Sequence, residues 1–442
     1  MKISEKTSKI INQDMKIMSS TTRCPYFPLV VDRAKGIYVT DIEGNTFIDM
    51  MSSAAVMNTG HNHERIVKAI NKQVNKFIHY TPAYMYHTPH TELAELLIDI
   101  TPGSFEKKVA FGLSGSSSVD GAIKAAKAYT GRNRIISFLR SYHGTTVGAL
   151  SVSGYGPEMK RKVGNLMEDV HFTPYPDSYR GYTQDECIAR LHELLETVVP
   201  AEEVAAIIYE PIQGDAGILI PENKFYTELE KIARENGILL IADEVQTGFG
   251  RTGSMFASEL FDIQPDIIVM GKAIASGMPL SAMVGRKEVM EGWSAPVHWF
   301  NTAGNVISCA AAVETINVIK EEGLLDNAKK IGSYITNRLR NMMKEHEMIG
   351  DVRGKGLLIG VDIVADRDTK ERDKKSTAKL CWRAWEKGMI LAFFSSNVLR
   401  IEPPLSMTMD EAEKAVDILE EAMYDVENGL VSDSVLANIK GW

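Results

Sequence analysis

Short runs that are apolar at nearly every position recur through the central two-thirds of the chain: Lys108–Ser114, Arg134–Leu139, Val204–Ile212, Ile238–Val245 and Asp266–Met270. Rich in Val and Ile and bounded by Gly, Pro or Asp, they read as strands buried on both faces of a parallel sheet. Helix-period segments such as Cys187–Val198 and Phe225–Glu235 lie between them. That alternation implies βαβ crossovers, so an α/β fold is expected, with a mainly parallel central sheet flanked by helices. After Asn305 a helical stretch runs to about Glu347, broken near Glu322-Gly323. Short strands at Leu357–Val364, Met389–Phe394 and Val398–Glu402 then mix with helices at Thr377–Lys387 and Met409–Val426, the pattern of a smaller α+β unit. Gly36–Asp49 reads as a hairpin turning at Glu43-Gly44-Asn45. The chain is thus divided into a segment 1–59, a large domain 60–325 and a region 326–442, the two terminal parts building the small domain. The charged run Asp366–Lys375 is read as a solvated loop.

Composition narrows the function classes. With 442 residues, 44% of them hydrophobic, the chain can bury a large core and is not disordered. Its 49 Lys+Arg against 58 Asp+Glu give a net charge of -9, which argues against a nucleic-acid or anionic-membrane surface. Cys24, Cys187, Cys309 and Cys381 form no CxxC, so neither a zinc site nor a disulfide framework is expected, and a reducing cytoplasm fits. No signal-peptide pattern stands at the N-terminus, and apolar runs such as Gly237–Ala242 meet Asp or Glu before membrane-spanning length.

In an α/β sheet, function is expected at the carboxyl ends of the strands. One strand ends at Asp243, which is either an ordinary turn cap or a fixed anion for a cationic ring nitrogen. The next delivers Lys272, followed by the small residues Ala273–Gly277. A lysine in a partly desolvated crevice is readily neutralised and suits Schiff-base chemistry, although most lysines are solvated surface charges. A Ser/Gly-rich turn carrying Ser114, Gly115 and Ser116 opens a helix, offering free N–H groups and a positive dipole end to a phosphate, or simply an N-cap. Tyr142 or His143 could supply a flat partner for a ring. Cradle, carboxylate, lysine and aromatic together match pyridoxal 5′-phosphate, whose protonated ring is an electron sink.

These segments, with Asn58–His61, Ser141–Thr145, Tyr209–Gln213 and above all Ile241–Gly253 followed by Met270-Gly271-Lys272, carry a resemblance to the class III aminotransferases. These are fold-type I pyridoxal-phosphate enzymes, and the resemblance runs from about Arg33 to about Met423. It implies that Lys272 is the Schiff-base lysine, Asp243 the pyridinium partner and Val245 a ring-face contact opposite Tyr142. Gln246 would bond the phenolic oxygen, Gly115 and Ser116 the phosphate, and Glu210 lies in the cofactor-binding set. Family enzymes are dimers or dimers of dimers in which the neighbouring subunit completes the phosphate site. Here that segment reads Asn301–Val306, departing from the family pattern, and Asn301 or Thr302 would make the contact. Arg400 matches the family arginine for a substrate carboxylate, a task suited to its planar fork, while a surface ion pair is its ordinary alternative. Arg353 is read as structural or at a domain junction.

Asp215, in Glu210–Gly217, bears on the reaction. The resemblance is to the family's amino-acid racemase and 2-epimerase members, which carry Asp there. Racemisation must deprotonate one face of Cα and reprotonate the other, which favours two bases, and a positioned base is worth about 10²–10⁴ in rate. The expected function is two-base racemisation or 2-epimerisation of free, neutral aliphatic amino acids by Lys272 and Asp215, beside Tyr142. The alternative is an ordinary aminotransferase in which Asp215 only orients Tyr142 or a water. A regulator without catalysis fits poorly, since residues 1–59 are too few and too weakly basic for a DNA-binding module. By the same resemblance, the mostly small or apolar residues of Ser52–Met57 and Tyr80–Met85 would line the substrate entrance.

Overall fold

Seven strands build the main sheet of the protein, whose computed structural model describes residues 4–439. They are β1 (Lys107–Gly112), β2 (Arg134–Phe138), β3 (Val170–Thr173), β4 (Val204–Tyr209), β5 (Leu239–Asp243), β6 (Ile267–Met270) and β7 (Ser281–Arg286). Their spatial order is β1-β7-β6-β5-β4-β2-β3. Strands β3, β2, β4, β5 and β6 are mutually parallel. Reversed β7 pairs antiparallel with both β6 and β1. Every residue of β4, β5 and β6 is buried, as the continuous apolar runs require.

The sheet corrects the reading of β1. Far from lying inside a parallel sheet, it forms an edge against antiparallel β7 and keeps Lys107, Lys108, Val109 and Ala110 only partly covered or exposed. The helix Gly115–Thr130 packs through small residues, Ala122, Ala125 and Ala126, which let its backbone approach Ile135, Ala206, Ile208 and Ile241. Helices Gln184–Thr197 and Asn223–Asn236 occupy the segments where helical periodicity places them.

The described residues separate into two compact units, one of residues up to His63 with those from Asp326 onward, the other Glu64–Leu325. The first break lies between His63 and Glu64, where the sequence reading sets it at 59/60. In the smaller unit Tyr38–Asp41 and Thr46–Asp49 form the expected hairpin. Val31–Lys35 extends it on one side and Met389–Ile390 pairs with it in parallel on the other, so the two segments of this unit share a sheet. A second sheet there contains Ile349–Lys355, Leu358–Asp366, Val398–Ile401 and Ala392–Phe394. The charged run is less of a loop than expected: Glu371–Arg372 pairs with Leu358–Asp366, and a helix starts at Lys374. Glu5–Ile17 forms a helix in a segment the apolar pattern leaves unassigned. No helix among the described residues is long and apolar enough to cross a membrane.

Candidate active site

Five loops leave the carboxyl ends of β1, β2, β4, β5 and β6 within the Glu64–Leu325 unit, and they carry most of the expected residues. Close approach at glycines shows how the loops converge. A Cβ on Gly115 would stand 2.9 Å from both Val245 methyls, and one on Gly271 would stand 3.3 Å from Gly115 N and 3.4 Å from Val245 Cγ1. The helix opening, the residue after Glu244 and the residue before Lys272 therefore meet at one place. Lys272 itself is partly buried and has a φ of 42°, a left-handed conformation costly for a side-chain-bearing residue.

The helix opening is capped from within. Ser117 N–H donates to Ser114 Oγ at 3.4 Å, and Ser117 Oγ accepts from Leu113 N at 2.9 Å and Ser114 N at 3.1 Å. The N-cap reading of Ser114 thus holds, and the first N–H groups of the helix still lack an intrahelical acceptor. The next loop folds onto them, with Thr145 N–H donating to Ser116 Oγ at 3.2 Å. Gly144 makes that approach possible: its φ is 123°, and a Cβ there would overlap Ser116 Oγ at 2.0 Å.

Asp243 is buried and serves in two ways. Its Oδ1 accepts Val245 N–H at 3.1 Å, the expected turn cap, and its Oδ2 lies 2.7 Å from His143 Nδ1. A carboxylate only accepts, so His143 donates through Nδ1. His143 Nε2 is buried and has no hydrogen-bond partner among the described residues. The histidine backbone is fixed by donation from its N–H to Ser153 Oγ at 2.9 Å.

Glu210 is buried just past β4, and its carboxylate reaches two loops. Oε1 accepts Tyr142 N–H at 2.9 Å, and Oε2 accepts Gly214 N–H at 3.1 Å. Burial pushes its carboxyl up to about 7, with Asp243 and Asp215 adding to the rise and His143 opposing it. Tyr142, half-buried, has its phenol pushed up to about 12, first by burial and then by the Asp215 and Asp243 charges. Asp215 is buried close enough to be felt by both groups. Gln246 is buried against Gly214, where a Cβ would fall 2.0 Å from Gln246 Oε1.

Other expected residues lie elsewhere. Asn301 and Thr302 are exposed in the loop before the helix Val306–Glu321. Arg400 belongs to the smaller unit and is buried, which rules out the surface ion pair. Its guanidinium lies 3.3 Å from the Phe394 ring centroid, and its Nε stands 3.9 Å from Glu402 Oε1. Arg353 ties Asp351 at 2.7 Å and Asp362 at 3.2 Å, a structural role.

Several residues at the site escape sequence reasoning. Glu244 is fully buried and accepts from Thr247 Oγ1, Ala257 N at 2.9 Å, Ser258 N at 2.7 Å and Ser258 Oγ at 2.7 Å. It thereby holds the loop after β5. Tyr155 meets Tyr142 edge-on, ring centroids 6.2 Å apart. Only the adjacency of Glu244 to Asp243 and the Gly154-Tyr155-Gly156-Pro157 turn hint at them.

The donor set fits pyridoxal 5′-phosphate. The helix opening presents N–H groups with no intrahelical acceptor, Asp243 provides a buried carboxylate for a ring nitrogen, and Gly271, just before Lys272, packs against Gly115 and Val245. Comparison with known proteins gives the same chemistry a family. The chain is 46% identical over 441 residues to a leucine/methionine racemase of Thermococcus litoralis, covering 98% of this chain and 99% of that protein. It is 43% identical over 446 residues to an isoleucine 2-epimerase of Lentilactobacillus buchneri, covering 99% of each. A solved amine transaminase from an uncultivated Pseudomonas species, in its PLP-bound form, superposes with a TM-score of 0.86 at 30% identity, covering 90% of this chain and 95% of that one. The family model for class-III aminotransferases matches residues 19–423, and this chain belongs to that family.

Proposed function

We propose that the protein is a pyridoxal-phosphate-dependent racemase or 2-epimerase of free neutral amino acids, using Lys272 and Asp215 as its two proton-moving groups. The observation that carries this reading is Asp215: buried, beside Tyr142, and on a different loop from Lys272. Near-full-length similarity to a leucine/methionine racemase and an isoleucine 2-epimerase supports the reaction and favours aliphatic side chains. When bound, the cofactor supplies an electron sink that acidifies the Cα–H of the amino acid.

The chain's own residues do the rest. Lys272 Nζ takes or returns the Cα proton from one face, and the Asp215 carboxyl does so from the other, so no net proton is consumed. Asp243 would hold the cationic ring nitrogen, and Val245, Tyr142 and His143 would line the ring. Gln246 would bond its phenolic oxygen, and Ser114, Gly115 and Ser116 would hold the phosphate. Glu210 completes the cofactor-binding set, and its part in it is positional. By resemblance to the family, Arg400 is the candidate for a substrate carboxylate; within its own unit its guanidinium lies over the Phe394 ring. The working form is a cytoplasmic homodimer or dimer of dimers, in which Asn301 or Thr302 of a second copy completes the phosphate site.

Aminotransfer is the second reading, favoured by the family and by the amine-transaminase superposition. Incubating an L-amino acid with holoenzyme in D₂O, without an oxo-acid acceptor, separates the two. Cα-deuterated D-isomer should accumulate over many turnovers. Arrest after one half-reaction, with pyridoxamine phosphate formed, would sink racemisation. Asp215→Asn should lower inversion by about 10²–10⁴ with cofactor absorbance retained, and full activity in that variant would remove Asp215 from the reaction.

A further inference from the structure

We infer that Glu210 is a positioning residue whose carboxylate fixes the spacing of Tyr142 and Asp215, and thereby decides whether this site inverts Cα or only exchanges its proton. The inference rests on the two-base reading above. Its basis is a single buried group that receives one backbone N–H from each of two loops: Tyr142 N at 2.9 Å and Gly214 N at 3.1 Å. Those loops leave β2 and β4, which are neighbours in the sheet. Tyr142 is the first residue tied, and Gly214 immediately precedes Asp215.

An ionised carboxylate is built for this double task because both of its oxygens accept and neither donates. The amide of Gln has one acceptor and one NH₂, so it can satisfy only one of the two N–H groups and turns a donor toward the other. The loop around Gly214 has little room to compensate, because Gln246 Oε1 already fills the space a Cβ would take. Glu210 is held from behind as well, with Tyr175 Oη donating to its carbonyl oxygen at 2.9 Å.

Charged and titratable groups face the Glu210 carboxyl from each loop around it. His143 and Tyr142 follow β2, Asp243 ends β5, Asp215 lies on its own loop, and Tyr175 and Tyr226 pack behind it. With its carboxyl pushed up to about 7, Glu210 passes from a half-effective tie to a complete one as pH rises through neutrality.

The test compares two rates in D₂O on one L-amino acid: appearance of D-product, and Cα deuteration of the remaining L-substrate. In Glu210→Gln holoenzyme the ratio of inversion to exchange should fall about 10–100-fold, the cost of displacing a catalytic group by about an ångström. Amide hydrogen exchange, read by mass spectrometry, should quicken in the peptides containing Tyr142 and Gly214. A ratio within twofold of wild type, or equal loss of both rates with unchanged amide exchange, overturns the assignment. If that variant does not fold, the wild-type ratio decides: it should rise between pH 5.5 and 8.5 with a midpoint near 7, and a flat profile overturns it. A wild-type enzyme that exchanges Cα–H but never yields D-product sinks the racemase reading instead, and this inference with it.

Discussion

Glu210 shows how burial converts a common side chain into a conditional one. Its carboxyl, ordinarily near 4.5, is pushed to about 7 inside the protein, chiefly by loss of water. Between those values the folded protein keeps a proton that the unfolded chain has released. The stabilising share of that proton is present below about 4.5 and is lost as pH rises through 7. Denaturant melts of wild type and Glu210→Gln should therefore diverge. From pH 5 to pH 8 the stability difference should shift toward the variant by roughly 2 to 3 kcal/mol. A difference that stays constant with pH would mean that Glu210 is not the titrating group. The sequence marked this residue only as part of a family motif. Its two N–H partners come from positions 142 and 214, and no local pattern links a glutamate to backbone groups so distant in the chain.

Backbone strain is concentrated in short elements. Ser52, Ser53, Ala54 and Ala55 have φ values of 46°, 51°, 61° and 60°, one left-handed turn made of side-chain-bearing residues. Such residues cost roughly 1–2 kcal/mol each in this conformation. The turn persists because Asp49 accepts Met51 N at 2.8 Å, Ser53 N at 3.2 Å and lies 2.8 Å from His61 Nε2. Ser52 Oγ adds a bond to Glu402 O at 2.5 Å. Ser53 is exposed, so Ser53→Gly should relieve strain with little lost packing and raise stability by up to about 1 kcal/mol in a denaturant melt. A loss of stability would show that the serine side chain itself holds the turn. Five of the seven strands of the main sheet lie where apolar runs place them, and two do not show in the sequence. β4, β5 and β6 are legible because two-sided burial demands unbroken apolar runs. β3 is short and only partly covered, and β7 follows directly on the loop after Lys272, so neither stands out from its surroundings.

At the scale of the whole molecule, the Glu64–Leu325 unit exposes a run of aromatic and apolar side chains. Tyr86 is fully exposed, Ile78, Tyr80, Tyr84 and Met85 are over half exposed, and Tyr84 meets Trp299 with centroids 5.8 Å apart. Contiguous apolar surface of this kind marks an interaction site, in keeping with the proposed homo-oligomer. Light scattering at micromolar concentration should give a dimer or tetramer mass, and Tyr84→Glu with Trp299→Glu should shift it toward monomer. A monomeric wild type would exclude shared phosphate sites. The sequence by itself determined the alternating sheet, the lysine and carboxylate at its rim and the family, because strand burial and short motifs are written in consecutive residues. Only the tertiary structure decided that β1 is an edge, that Arg400 is buried on Phe394, and that Glu210 binds two loops at once. Those facts depend on which distant segments meet, and burial among such neighbours is what sets hydrogen-bond partners and proton affinity.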